Sequence, residues 1–199
     1  MKTFAISCLM AVAVVAAPKE DLMGQLPFTT AFDSPSYSGY IAASETKNLH
    51  YVFTESLDNP KTDPVLIWFN GGPGCSSMLG FIQENGPRVV NDGEDFLIEN
   101  KDTWNNKANV LWLESPAGVG WSTGATAADL KTDDLQQSID ALAALQSWYV
   151  KVPEFKENEL YISGESYAGI YVPYLSYQID LNNRKADYSP MFEKINLKG

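Results

Sequence analysis

The stretch Glu159-Leu160-Tyr161-Ile162-Ser163-Gly164-Glu165-Ser166-Tyr167-Ala168-Gly169 constrains this chain more than any other. A short apolar run of β character enters it, a Gly-x-Ser turn sits in the middle, and a longer apolar-periodic segment leaves it. A serine caught between a strand and a helix is held on a sharp turn, with its Oγ exposed at the carboxyl edge of a sheet. Such turns usually read Gly-x-Ser-x-Gly. Here Ala168 fills the last slot and the glycine comes one place later. Alanine is small enough for the helix to pack closely, so the departure is mild. Read alone, these letters also describe an ordinary Gly-Ser turn.

The surrounding pattern favours the first reading. Residues 65–69 and 109–113 are nearly continuous apolar runs, as expected of strands buried on both faces, and Pro64 opens the first. Residues 37–43 and 49–55 read as two strands joined by a polar turn at Thr46-Lys47-Asn48, an antiparallel hairpin. Helical spacing runs over 127–149 through Leu130, Leu135, Ile139, Leu142, Leu145, Trp148 and Tyr149, and Pro153 stops it. A short helix is predicted over 77–84, a short strand over 96–98, and a helix from the serine turn to about Asn182, kinked at Pro173. A further strand begins at 195–197. Strands alternating with helices predict an α/β fold, a mostly parallel sheet flanked by helices.

A chain of 199 residues with 45% hydrophobic content supports one buried core. Residues 1–17 are expected to lie outside it. Lys2, an apolar run over 4–15 and the small pair Ala16-Ala17 read as a secretory signal peptide, too short for a membrane span. The expected domain is therefore 18–199, without membrane attachment once the signal is removed. Its loss takes Lys2 with it, moving the formal charge from −11 to −12. An acidic surface without a basic stripe argues against nucleic acid or anionic lipid as partner. Cys8 leaves with the signal, so Cys75 stands alone in a compartment that favours disulfides.

Acyl transfer needs two backbone N–H groups converging on a developing oxyanion. Gly71-Gly72 directly follows a buried strand, and glycine lets the main chain approach a substrate closely. The Tyr167 N–H, at the start of the helix after Ser166, is the natural second donor. Gly118-Val119-Gly120 also follows a strand, but Thr123 stands where a third glycine would complete a dinucleotide loop. No metal or cofactor is called for.

Four blocks, Asn70-Gly-Gly-Pro-Gly-Cys-Ser-Ser77, Glu84-Asn-Gly-Pro87, Glu114-Ser-Pro-Ala-Gly-Val-Gly120 and Gly164-Glu-Ser-Tyr-Ala-Gly169, occur in order. Together they resemble the serine carboxypeptidase family. The resemblance implies an α/β-hydrolase fold and removal of single residues from peptide C-termini at acidic pH, in a vacuole, a lysosome or the extracellular space. It makes Ser166 the nucleophile, and Gly72 and Tyr167 the oxyanion-hole amides. It gives Asn70, Gly71, Glu84 and Glu165 the substrate's terminal carboxylate, and makes Cys75 half of a disulfide. A carboxylic acid can hold a carboxylate when protonated, as a hydrogen-bond donor, and two nearby carboxyls favour that form.

The family's triad runs Ser, Asp, His. Only 33 residues follow Ser166 and none is histidine; Asp180 and Asp187 come too soon to match the acid. The single histidine, His50, reads as a strand-surface residue. With Cys75 unpaired and a strand just beginning at the end, the chain reads as the N-terminal part of such an enzyme, cut before the last strands and the triad Asp and His. An acyltransferase on the same scaffold, or a non-catalytic binding or protective homologue, would carry the same blocks.

Overall fold

A computed structural model describes residues 18–199; the expected signal peptide lies outside the described residues. Among the described residues are eight strands and two long helices: β1 (Ser36–Ala42), β2 (Lys47–Thr54), β3 (Val65–Phe69), β4 (Arg88–Val89), β5 (Ile98–Glu99), β6 (Asn109–Leu113), β7 (Thr123–Gly124), α1 (Asp134–Lys151), β8 (Leu160–Gly164) and α2 (Ala168–Ala186). The main sheet runs β1-β2-β6-β3-β8, with β7 also paired to β2. It is mixed. The β1, β2, β6 and β7 pairings are antiparallel, whereas β6, β3 and β8 run parallel. The last residues align beside β8, where Leu160 N donates to Asn196 O and Ile162 N to Gly199 O.

The period-2 alternation of the strands divides the core. Val65, Ile67 and Phe69 of β3, with Leu111 and Leu113 of β6, pack on the side of α1 and α2. Trp68, Val110 and Trp112 face the other way, under Phe81 and the partly buried Met23, Phe32 and Met78. Both long helices thus cover one face. The opposite face is covered by the N-terminal arm and a π-helical turn at Gly80–Glu84.

Several boundaries differ from the sequence pattern. The β1–β2 turn lies earlier than expected, since Asn48 already pairs with Ala42, and Lys47 is drawn into the sheet by a buried ion pair with Asp140 of α1. Helix α1 begins at Asp134 rather than 127, because the Asp133 side chain accepts from Gln136 N and caps it there. Its buried face includes the small Ala141 and Ala144, which let it lie close to the sheet, beside the large Leu145 and Trp148. Leu135 and Ile139, expected inside, are 51% and 42% exposed. The helix expected over 77–84 widens into a π turn from Gly80, where Asn85 N donates to Gly80 O and a Cβ would sit 2.3 Å from Trp68 Nε1. Strand β5 falls at 98–99, and α2 runs on to Ala186 with Pro173 inside it.

Candidate active site

The carboxyl ends of β6, β3 and β8 are neighbours, and each delivers a loop to the same edge of the sheet. Ligands of open α/β sheets bind at that edge. Ser166 sits in the turn between β8 and α2 with φ of 58°, a strained left-handed conformation for a non-glycine residue, and it is exposed. Gly164 is required before it, since a Cβ there would lie 2.4 Å from Phe69 O and 2.5 Å from Ala168 Cβ. Ala168 is fully buried, whereas Gly169 has open space around it. The close-packed position is therefore 168, and alanine fits it.

The loop after β3 is built against that turn. A Cβ on Gly71 would lie 2.4 Å from Tyr167 N and 2.7 Å from Glu165 O, so only glycine allows this approach. Gly72 has φ of 106°, and Cys75 N donates to Gly71 O at 3.0 Å. Among the described residues, neither Gly72 N–H nor Tyr167 N–H donates to a protein acceptor. Tyr167 also anchors its ring, donating its hydroxyl to Asp134 Oδ1 at 3.0 Å, which holds the phenol above its ordinary value.

Asn70 is 1% exposed and its orientation is fixed. Its Oδ1 accepts from Trp68 Nε1 and Gly80 N, both at 2.9 Å, so the amide must present Nδ2 to the loop side. Nδ2 donates to Glu84 Oε1 at 2.8 Å and lies 3.5 Å from Glu165 Oε1. The structure thus brings Asn70, Glu84 and Glu165 together beside Ser166, both carboxyls on the exposed side. Cys75 is exposed and unbonded among the described residues.

His50 is placed differently from expectation. It is 8% exposed rather than on a strand surface, because Glu114 and Ser38 satisfy its ring. Nδ1 lies 3.0 Å from Glu114 Oε2, and Nε2 lies 2.9 Å from Ser38 Oγ. Both ring nitrogens are thereby engaged away from Ser166. Asp180 pairs with Arg184 and Asp187 with Lys194. Glu114, which opens the block 114–120, has no role that the sequence assigns. It is fully buried at the end of β6, and burial pushes its carboxyl up. Hydrogen bonds from His50, Ser76 and Trp121 N outweigh that and hold it below its ordinary value.

The serine carboxypeptidase family model matches residues 26–199. The chain belongs to the serine carboxypeptidase family. Among family relatives it is 41% identical over 195 residues to serine carboxypeptidase-like 20 of Arabidopsis thaliana, covering 92% of this chain and 39% of that protein. It is 46% identical over 172 residues to serine carboxypeptidase ctsa-4.1 of Caenorhabditis elegans, covering 86% and 36%. It is 44% identical over 162 residues to the lysosomal protective protein of Mus musculus, covering 81% and 34%. The crystal structure of Kex1(Δ)p, a prohormone-processing carboxypeptidase of Saccharomyces cerevisiae, superposes with a TM-score of 0.68 at 29% identity. That match covers 83% of this chain and 38% of the other. The chain therefore spans less than two-fifths of the length of these serine carboxypeptidase relatives, and its architecture is that of an α/β-hydrolase.

Proposed function

We propose that this chain is the N-terminal part of a serine-type carboxypeptidase that releases C-terminal residues from peptides through an acyl-enzyme. The observation carrying the reading is the meeting, at one sheet edge, of a strained exposed serine, two unpaired N–H groups and the Asn70 amide flanked by two carboxyls. Ser166 Oγ attacks the scissile carbonyl, and the oxyanion accepts from Gly72 N and Tyr167 N. A histidine and an aspartate from beyond Gly199 serve as base and as its orienting acid. The amine leaves with the proton, and water then releases the shortened peptide from Ser166.

An exopeptidase must distinguish a free C-terminus from an internal bond. Asn70 Nδ2 donates to the substrate's terminal carboxylate, and Gly71 lets the main chain come close enough for it to be reached. Glu84 and Glu165 donate when protonated, which suits an acidic compartment. The excess of acidic residues and the lysosomal protective protein among the relatives support that setting, a vacuole, a lysosome or an extracellular space reached through a cleaved signal at 1–17.

An organophosphonate probe on the full-length protein tests the assignment. Ser166 is the residue expected to be labelled, and Ser166→Ala abolishes labelling while Ser163→Ala leaves it intact. A label on Ser76 or Ser77 would move the nucleophile to the glycine loop and overturn the reading.

A further inference from the structure

The loop that carries Gly72 is pinned to the end of β6 by two consecutive serines. Ser77 Oγ donates to Leu113 O at 2.7 Å and accepts from Asn70 N at 3.2 Å. Ser76 Oγ donates to Glu114 Oε1 and accepts from Met78 N at 3.1 Å. The second tether is unusual because it ends on a buried charge. Glu114 is held from the far side by His50 Nδ1 and by Trp121 N at 2.7 Å. An ionised carboxylate only accepts, so the proton of this contact sits on Nδ1. Nε2 then accepts from the Ser38 hydroxyl when the ring is neutral. A Cβ on Gly120 would lie 1.8 Å from Glu114 Oε1, so the following loop also closes tightly over the carboxylate.

A buried carboxylate with this many donors needs a reason beyond stability, since such charges rarely outperform an apolar replacement. Its position supplies one. Residues 72–75 are exposed and form a turn closed by Cys75 N donating to Gly71 O, so the direction of Gly72 N–H depends on where that turn is tied to the sheet. Ser76, directly after the turn, ties it to β6 through its side chain. We propose that Glu114 is a positioning residue for the oxyanion hole, fixing the Gly72 N–H through Ser76 while His50 holds the carboxylate in place. This rests on Gly72 N–H being an oxyanion donor. The interaction acts on the transition state, where the oxygen carries charge, and little on the bound peptide.

The test uses the full-length protein with Ser76→Ala, Ser76→Thr and wild type, comparing peptide kcat and KM with amide hydrogen exchange over 71–75. Ser76 is half-buried, so its truncation opens no core cavity. Ser76→Ala is expected to lower kcat by about 10- to 100-fold with KM within about 2-fold, and to speed exchange in the loop. Ser76→Thr keeps the hydroxyl and restores both. Unchanged exchange with unchanged kcat overturns the tether and leaves the oxyanion assignment standing. Faster exchange with unchanged kcat shows that Gly72 is not an oxyanion donor, and the proposal falls with that assignment. A KM rise equal to the kcat loss, unrescued by threonine, marks general loosening and overturns it as well.

Discussion

Gly71 and Tyr167 meet so closely that a Cβ on the first would lie 2.4 Å from the backbone nitrogen of the second. The loop after β3 and the Ser166 turn are therefore one packed unit, although 96 residues separate Gly71 from Tyr167. Gly71→Ala forces backbone apart at that contact. If the Gly72 and Tyr167 amides act as proposed, it should lower kcat of the full-length protein by about 100-fold or more, since displacing a donor by about 1 Å costs that much. Steady-state kinetics beside a thermal melt will check it. A variant with wild-type kcat would show that the contact is incidental.

The strands that deliver this unit were legible in the sequence, and the reason is burial. Residues 65–69 and 109–113 sit in the middle of the sheet, so both faces demand apolar side chains. Helix α1 was legible only as a helix. Its start depends on the Asp133 cap, and its inward face mixes Leu145 and Trp148 with alanines and buried polar residues such as Gln137 and Asp140 that a hydrophobic count underweights. Asn70, Gly71, Gly72, Glu165, Ser166 and Tyr167 directly follow strand ends, so the strand pattern already puts them at one sheet edge, whereas Glu84 lies on the π turn and no strand pattern points to it. The Glu114–His50 contact could not be placed, because it joins residues 64 apart through strand pairing that no local pattern reports.

Glu114 makes acid stability a readout of the same network. Its carboxyl is held below the ordinary 4.5 in the folded protein, so its stabilisation is present above that value and is lost as pH falls through the lowered one. Around Glu114 and His50 the other titratable and charged groups are Tyr40, with Asp21 and Lys151 along the adjoining groove. Glu114→Gln should cost about 1–3 kcal/mol near neutrality, a difference that narrows toward the acid limit. Denaturant melts at several pH values measure it. A constant difference would contradict the assignment.

Lys47 and Asp140 tie the β1–β2 hairpin to α1 by a buried pair at 2.6 Å, with Gln136 Nε2 also donating to Asp140. Asp140→Ala leaves the ammonium buried without its partner and should destabilise the fold by about 3–5 kcal/mol. Urea unfolding of the variant reads this directly, and a loss below about 1 kcal/mol would mean that Lys47 finds solvent.

Glu165→Gln separates carboxyl recognition from simple acid stability. A carboxyl donates only when protonated, so peptide binding through it weakens as pH rises, while glutamine donates at every pH. KM of wild type should rise on the alkaline side, and that of the variant should rise less. Identical alkaline KM profiles would show that Glu165 does not hold the terminal carboxylate.

The most direct measurement is product analysis of one N-acylated peptide in two forms, with a free and with an amidated C-terminus, incubated at acidic pH with the full-length protein and with Ser166→Ala. The expected result is release of the C-terminal residue from the free-acid peptide, much slower turnover of the amide, and no release by the variant. Internal cleavage, equal turnover of both forms, or release that survives Ser166→Ala would contradict a carboxypeptidase acting through Ser166.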